Sequence, residues 1–267
     1  MNRTRVALIG CLTAFCAVGA RALPIPAPDT SLDVRDYVLR GMPAPDRSWM
    51  PSDYERAAVL LEELAHESPP AFPRFESTKS GRLFSRIVSP DSLELASPAG
   101  ASHEQKLALL VPLLGATNRI MSAYAFAART NATYDDELVE LYVFQFSEMQ
   151  ALVQTADDFI QSLPADDPSL AVRREGFSRA CEGLGTTIAG LAETLGEREM
   201  YRPGSRLRLA QFLIGHVSAI SNFIPTNVAL ETPIRLRQTA TSEPDPPLRE
   251  AISSLADSFT EALRPAA

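Results

Sequence analysis

The sequence predicts an all-α fold, an irregular helical bundle of about six or seven helices with one Pro-rich non-helical insertion. Two patterns carry this prediction. Residues 133–163 hold three seven-residue series, Leu138/Gln145/Leu152/Phe159, Val139/Phe146/Val153/Ile160 and Tyr142/Met149/Ala156/Leu163. That period gathers them on one broad helical face, as bundle packing requires. Residues 177–195 alternate apolar steps of four and three through Phe177, Cys181, Leu184, Ile188, Leu191 and Leu195, a second bundle seam.

The first 22 residues read as a leader. Arg3 and Arg5 precede an apolar run from Val6 to Ala20, and Ala20-Arg21-Ala22 has the small-x-small form that precedes a signal-peptidase cut. Cleavage is expected after Ala22. Leu8-Ile9-Gly10-Cys11 also resembles a lipoprotein box, but Val6 to Gly10 is a short apolar lead for one, so Cys11 is the weaker alternative. Periplasmic or extracellular localisation follows, and no further run reaches spanning length, so no transmembrane helix is expected after cleavage.

The 267 residues carry 25 basic and 33 acidic side chains, 45% hydrophobic and 22% charged residues, which is the balance of an ordinary globular domain. Loss of the leader removes three arginines and no acid, so the net charge moves from −8 to −11. An acidic chain argues against nucleic acid as a partner. Cys11 and Cys16 leave with the leader, and Cys181 stands alone, so the fold relies on its core and not on disulfides.

After the leader, residues 23–50 read as an extended segment, with Pro24, Pro26 and Pro28 at its start and one short helix at Asp33–Leu39. Residues 51–267 are expected to form a single helical-bundle domain. Its first helix starts at Pro51-Ser52, with Glu55 three residues on as a capping box, runs to about His66 and stops before Pro69-Pro70. Residues 67–100 carry five prolines and one short apolar piece, Leu83–Val88, and form the insertion.

Four core helices follow, at about 103–129, 133–163, 168–196 and 205–224. Ser102 with Gln105 caps the first, which is apolar nearly all round and holds Pro112 inside it. Pro164 ends the second, and Asp167-Pro168 opens the third as N-cap and first helical position. Pro225 ends the fourth. Residues 226–245 are expected to be non-helical, with Ile234-Arg235-Leu236-Arg237 as their one ordered piece. Asp245-Pro246 opens a final amphipathic helix with Ile252, Leu255, Phe259 and Leu263 on one face. The first and last helices are expected to pack outside the four.

Candidate chemistry is sparse. Glu63-x-x-His66 sets a carboxylate and an imidazole on one helical face, as in metal-binding bundles, but the pattern occurs once where such sites need it twice. A histidine at a helix C-terminus is also favoured by the dipole alone. His216 lies on an apolar helix with Asn222 nearby, and a buried imidazole needs a hydrogen-bond partner or a ligand. Gly176, Gly183 and Gly190 recur every seven residues beside the 177–195 seam. Glycine inside a helix costs about 1 kcal/mol, which close helix packing or a groove for a ligand or partner would explain.

Asp135-Asp136-Glu137 with Glu140 suits the positive end of a helix and lacks the spaced ligands of a calcium loop. Cys181 on a seam reads as a small hydrophobe. Ser80-Gly81-Arg82, near Lys79 and Arg86, is a small basic spot, and Asn131-Ala132-Thr133 is a glycosylation acceptor in a eukaryotic host. No nucleophile elbow, phosphate loop or dinucleotide fingerprint occurs in the sequence.

The chain is therefore expected to be an exported, non-enzymatic protein that works by binding or scaffolding, with a protein partner or an apolar ligand and no cofactor implied. Two alternatives stand beside this. One is a carrier of an apolar small molecule in the bundle core, between the Pro112 helix and the glycine-striped helix. The other is a metal-dependent enzyme using Glu63 and His66.

Overall fold

A computed structural model describes residues 49–66, 72, 87–88, 93, 101–130 and 134–262. The leader, the Asp33–Leu39 helix, Ser80–Arg82, Asn131 and most of the 67–100 insertion lie outside the described residues. Among those described, the chain is all-α, with no strand. The helices are α1 (Pro51–Ala65), α2 (His103–Thr130), α3 (Asp135–Ser162), α4 (Leu170–Thr194), α5 (Pro203–Ile220), α6 (Thr226–Ser242) and α7 (Pro246–Ala262), with a 3-10 turn at Ser221–Phe223.

Local chemistry sets the helix limits. The Ser102–Gln105 box forms reciprocally: Gln105 N–H donates to Ser102 Oγ at 3.2 Å, and Ser102 N–H donates to Gln105 Oε1 at 2.9 Å. Asp245 caps α7 by accepting the Leu248 N–H at 3.0 Å. Two starts are shifted from expectation. Pro51 takes the first position of α1, because its fixed φ suits a helix and its missing N–H costs nothing there. Met50 becomes the N-cap and donates its N–H to Asp53 Oδ2 at 2.7 Å, so Asp53 and not Glu55 closes the box. At α4, Asp167 accepts the Ser169 N–H at 2.7 Å in a turn that absorbs Pro168, and the helix begins at Leu170.

The largest correction concerns 226–245, expected to be non-helical. It forms α6, with Pro225 as its N-cap and Pro233 inside it. Its buried positions are Ala229, Thr232, Pro233, Leu236 and Ala240, a helical period carried by small and polar residues that an apolar count overlooks. Ile234, the first residue of the expected ordered piece, is exposed, while Leu236 within it is buried.

α3 is the hub: it packs against α2, α4 and α5. α1 lies on α2, while α6 bridges α4 and α7, and α7 returns to α5. The expected split into four inner and several outer helices is also corrected. Leu248, Ile252, Leu255 and Phe259 of α7 are as buried as anything in α3, as are Leu60, Leu61 and Leu64 of α1. Each amphipathic helix closes the apolar face of a neighbour. Phe72, Ile87, Val88 and Leu93 from the insertion are buried in the same core. By length and composition, the stretch 103–128 of α2 is the one described helix apolar enough to cross a membrane, and half of it is buried.

Candidate functional site

The described residues contain a cleft of about 360 Å³ where α1, α2, α3 and α5 come together. The row of residues on α3 comes first. Ser147, Gln150, Ala151, Gln154, Thr155 and Asp158 all line it, spaced by three and four so that one helical face supplies them. From α2 come Leu109 and Leu110 as an apolar wall, with His103 and Lys106 in its first turns. His216 of α5, Tyr54 of α1 and Leu93 complete it.

Several lining groups are held by the scaffold. Ser147 Oγ donates to the Val143 carbonyl oxygen at 3.0 Å. His216 Nδ1 donates to the Phe212 carbonyl oxygen at 2.8 Å, and its ring stacks on Phe212 with centroids 4.0 Å apart. That bond fixes the ring's orientation. Burial, and then the Asp53 carboxylate beside it, push the Tyr54 hydroxyl well above its usual range, so it remains a neutral donor. Gln150, Gln154 and Thr155 differ. They are half-buried and make no hydrogen bond among the described residues. Other polar side chains of α3 do find partners: Gln145 donates to Asn118 Oδ1, and Gln161 donates to Asp157 at 2.7 Å. The α3 wall thus presents hydrogen-bonding side chains to the cleft.

The sequence-predicted candidates lie elsewhere, except for His216. Glu63 sits half-buried in the last turn of α1. His66 is exposed and donates from Nδ1 to the Glu62 carbonyl oxygen at 2.7 Å, capping its own helix. Glu62 itself binds Arg119 of α2, with Arg119 Nε donating at 2.6 Å. No group of three His, Cys, Asp or Glu able to hold a metal occurs among the described residues. Asn222 is exposed in the 3-10 turn, away from any shared network with His216.

Of the glycine stripe, Gly176 is buried, and a Cβ at Gly183 would meet Met149 Cε at 3.3 Å, so a side chain already covers that position. The tightest approach is at Gly185, which the seven-residue stripe leaves out: a Cβ there would stand 3.0 Å from Pro225 and Val228. Cys181 is half-buried. Burial, with Asp157 and Glu182 adding to it, pushes its thiol up to about 11, which leaves little thiolate at neutral pH.

The acidic cluster is not a solvated first turn. Asp135 Oδ2 accepts from Arg202 Nε at 2.7 Å and from Ser205 Oγ at 2.9 Å, and Arg208 binds Asp136 at 2.6 Å. It ties α3 to the start of α5.

Sequence reasoning missed Tyr54, Gln150, Gln154 and Thr155. A signal existed, because Gln150, Gln154 and Asp158 recur at four-residue steps on a helix that is otherwise largely buried. A scan against protein-family models, a search of curated proteins and a search of solved structures each return no match.

Proposed function

We propose that this chain is an exported, non-enzymatic binding protein that holds a small polar molecule in the cleft between α1, α2, α3 and α5. The observation that carries this reading is the row of Gln150, Gln154 and Thr155, half-buried on a cleft wall without protein partners among the described residues. Polar side chains that line a cleft and are not engaged by the protein are free to exchange water for a ligand's hydrogen-bonding groups. The volume falls at the lower end of small-molecule sites. Export rests on the Arg3/Arg5 start, the Val6–Ala20 run and Ala20-Arg21-Ala22.

Binding is preferred to an apolar carrier, because the cleft wall supplied by α3 is mostly polar and lies away from the α4 glycines. It is preferred to a Glu63/His66 enzyme, because those two residues have no third ligand group beside them among the described residues.

Native mass spectrometry of the chain recovered from its exported location tests both parts. The expected mass is that of a chain beginning at Leu23, with a non-covalent small-molecule adduct that Gln154→Leu weakens. Retention of Met1–Ala22 would refute export as a cleaved protein. An adduct indifferent to Gln154 would place binding outside the cleft.

A further inference from the structure

We infer that the occupant of this cleft is a neutral, hydroxyl-rich molecule the size of one sugar ring or cyclic polyol, an inference that rests on the binding reading above. The first argument is hydrogen-bond complementarity. A glutamine amide offers a donor and an acceptor side by side. Two adjacent hydroxyls on a ring offer the matching pair. Gln150 and Gln154 stand one helical turn apart, and the Thr155 hydroxyl follows.

Charge is the second argument. His103 and Phe159 have ring centroids 6.1 Å apart, so the start of α2 lies beside the end of α3. Lys106 and Asp158 therefore belong to the same end of the cleft, and their opposite charges give it no strong preference for an anion or a cation. Shape is the third. Leu109, Leu110 and Ala151 provide an apolar wall that suits the C–H face of a ring. At about 30 Å³ per water, 360 Å³ has room for about a dozen waters, which is ample for one six-carbon sugar ring.

The test is titration of the mature chain with glucose, galactose, mannose and myo-inositol, followed by calorimetry and saturation-transfer NMR. Glucuronate, glucosamine and trialanine serve as charged and peptide comparators. At least one neutral probe is expected to bind saturably. Its affinity should fall about tenfold or more in Gln150→Leu and Gln154→Leu, and hold in Gln211→Leu, an exposed position on α5. Melting temperature and circular dichroism confirm that each variant is folded. Binding of the charged probes or trialanine alone would overturn the neutral-polyol assignment and leave cleft binding standing. Binding by none of the four neutral probes would overturn the assignment as well. A native adduct that ignores Gln154 would remove the binding reading beneath it.

Discussion

Thr117 of α2 and Glu148 of α3 meet with Oγ1 and Oε1 3.0 Å apart, and neither residue is accessible to solvent. Thr117 Oγ1 also stands 3.1 Å from the Leu113 carbonyl oxygen. One hydroxyl proton cannot serve both oxygens. Burial raises the Glu148 carboxyl well above its ordinary value of 4.5, against the smaller lowering effect of Thr117. Thr117 therefore donates to Glu148 Oε1 or to the Leu113 carbonyl oxygen in turn, and Glu148 Oε2 has no hydrogen-bond partner among the described residues.

This has a signed consequence for stability. A carboxyl whose folded pKa is raised contributes its full stability below the unfolded value, near 4.5, and loses it as pH rises towards the folded pKa. Glu148→Gln keeps the shape and a donor but does not ionise. The variant is expected to match the parent near pH 4 and to exceed it increasingly above that, by roughly 2–4 °C or more in melting temperature at pH 8. Melting curves from pH 4 to 8 check this, and a constant difference across the range would show that Glu148 is ionised in the fold.

Arg206 and Glu243 give the opposite case. Arg206 Nη1 donates to Glu243 Oε2 at 2.7 Å and to the Leu195 carbonyl oxygen at 3.1 Å, with both side chains buried. Arg198 lies 3.4 Å from the same carboxylate, and the Asp245 N–H donates to it at 3.1 Å. The end of α4, α5, α6 and the start of α7 are joined here. Arg206→Met leaves Glu243 short of its partner and is expected to cost about 3–5 kcal/mol, while Arg206→Met with Glu243→Leu recovers most of that. Urea denaturation of the two single variants and the double variant reads the coupling.

The acid limb follows from the same groups. Burial raises Glu243 and Asp135, but hydrogen bonds and guanidiniums outweigh it and hold both carboxyls below their ordinary values. For Asp135 these come from Arg202 and Ser205, and for Glu243 from the Asp245 N–H, Arg206 and Arg198. Stability from a lowered carboxyl is present above the unfolded value and lost as pH falls through the folded one. Asp135→Asn is expected to be less stable than the parent at pH 7, and the gap should narrow as pH falls below the ordinary carboxylate range. Equilibrium unfolding at pH 7, 4 and 2.5 measures it, and a gap that stays open in acid would count against the assignment.

The long helices were legible because their apolar residues are large: α3 and α4 appear where seven-residue and three-four spacing put them, and α2 and α5 where long apolar stretches do. α6 was not, because Ala229, Thr232 and Pro233 carry much of its buried stripe. Pro233 is accommodated inside a helix whose partners, α4 and α7, bury that face. The polar knot at Arg206 was hidden for another reason: it joins residues far apart in sequence, and charge alone does not reveal which arginine will be enclosed. His216 was legible as a half-hidden imidazole on an apolar helix, whereas the cleft glutamines were concealed by their place among apolar neighbours.

The glycines supply the last prediction, because position and not residue type decides its sign. In a helix, alanine is favoured over glycine by about 1 kcal/mol where space allows. Gly215 of α5 is exposed, and a Cβ there meets nothing within 4 Å, so Gly215→Ala should stabilise by about that amount. At Gly185 the Cβ would stand 3.0 Å from Cδ and Cγ of Pro225, whose ring cannot rotate away, and 3.0 Å from Val228. Overpacking costs roughly 1–3 kcal/mol, so Gly185→Ala should lose about 1 kcal/mol after the helical gain. Gly183 lies between the two, since the flexible end of Met149 at 3.3 Å can move aside, and its alanine variant should be near neutral. Urea midpoints are expected in the order Gly215→Ala, Gly183→Ala, Gly185→Ala from highest to lowest. A Gly185→Ala variant as stable as Gly215→Ala would mean that the start of α6 does not press on α4 as closely as the geometry places it.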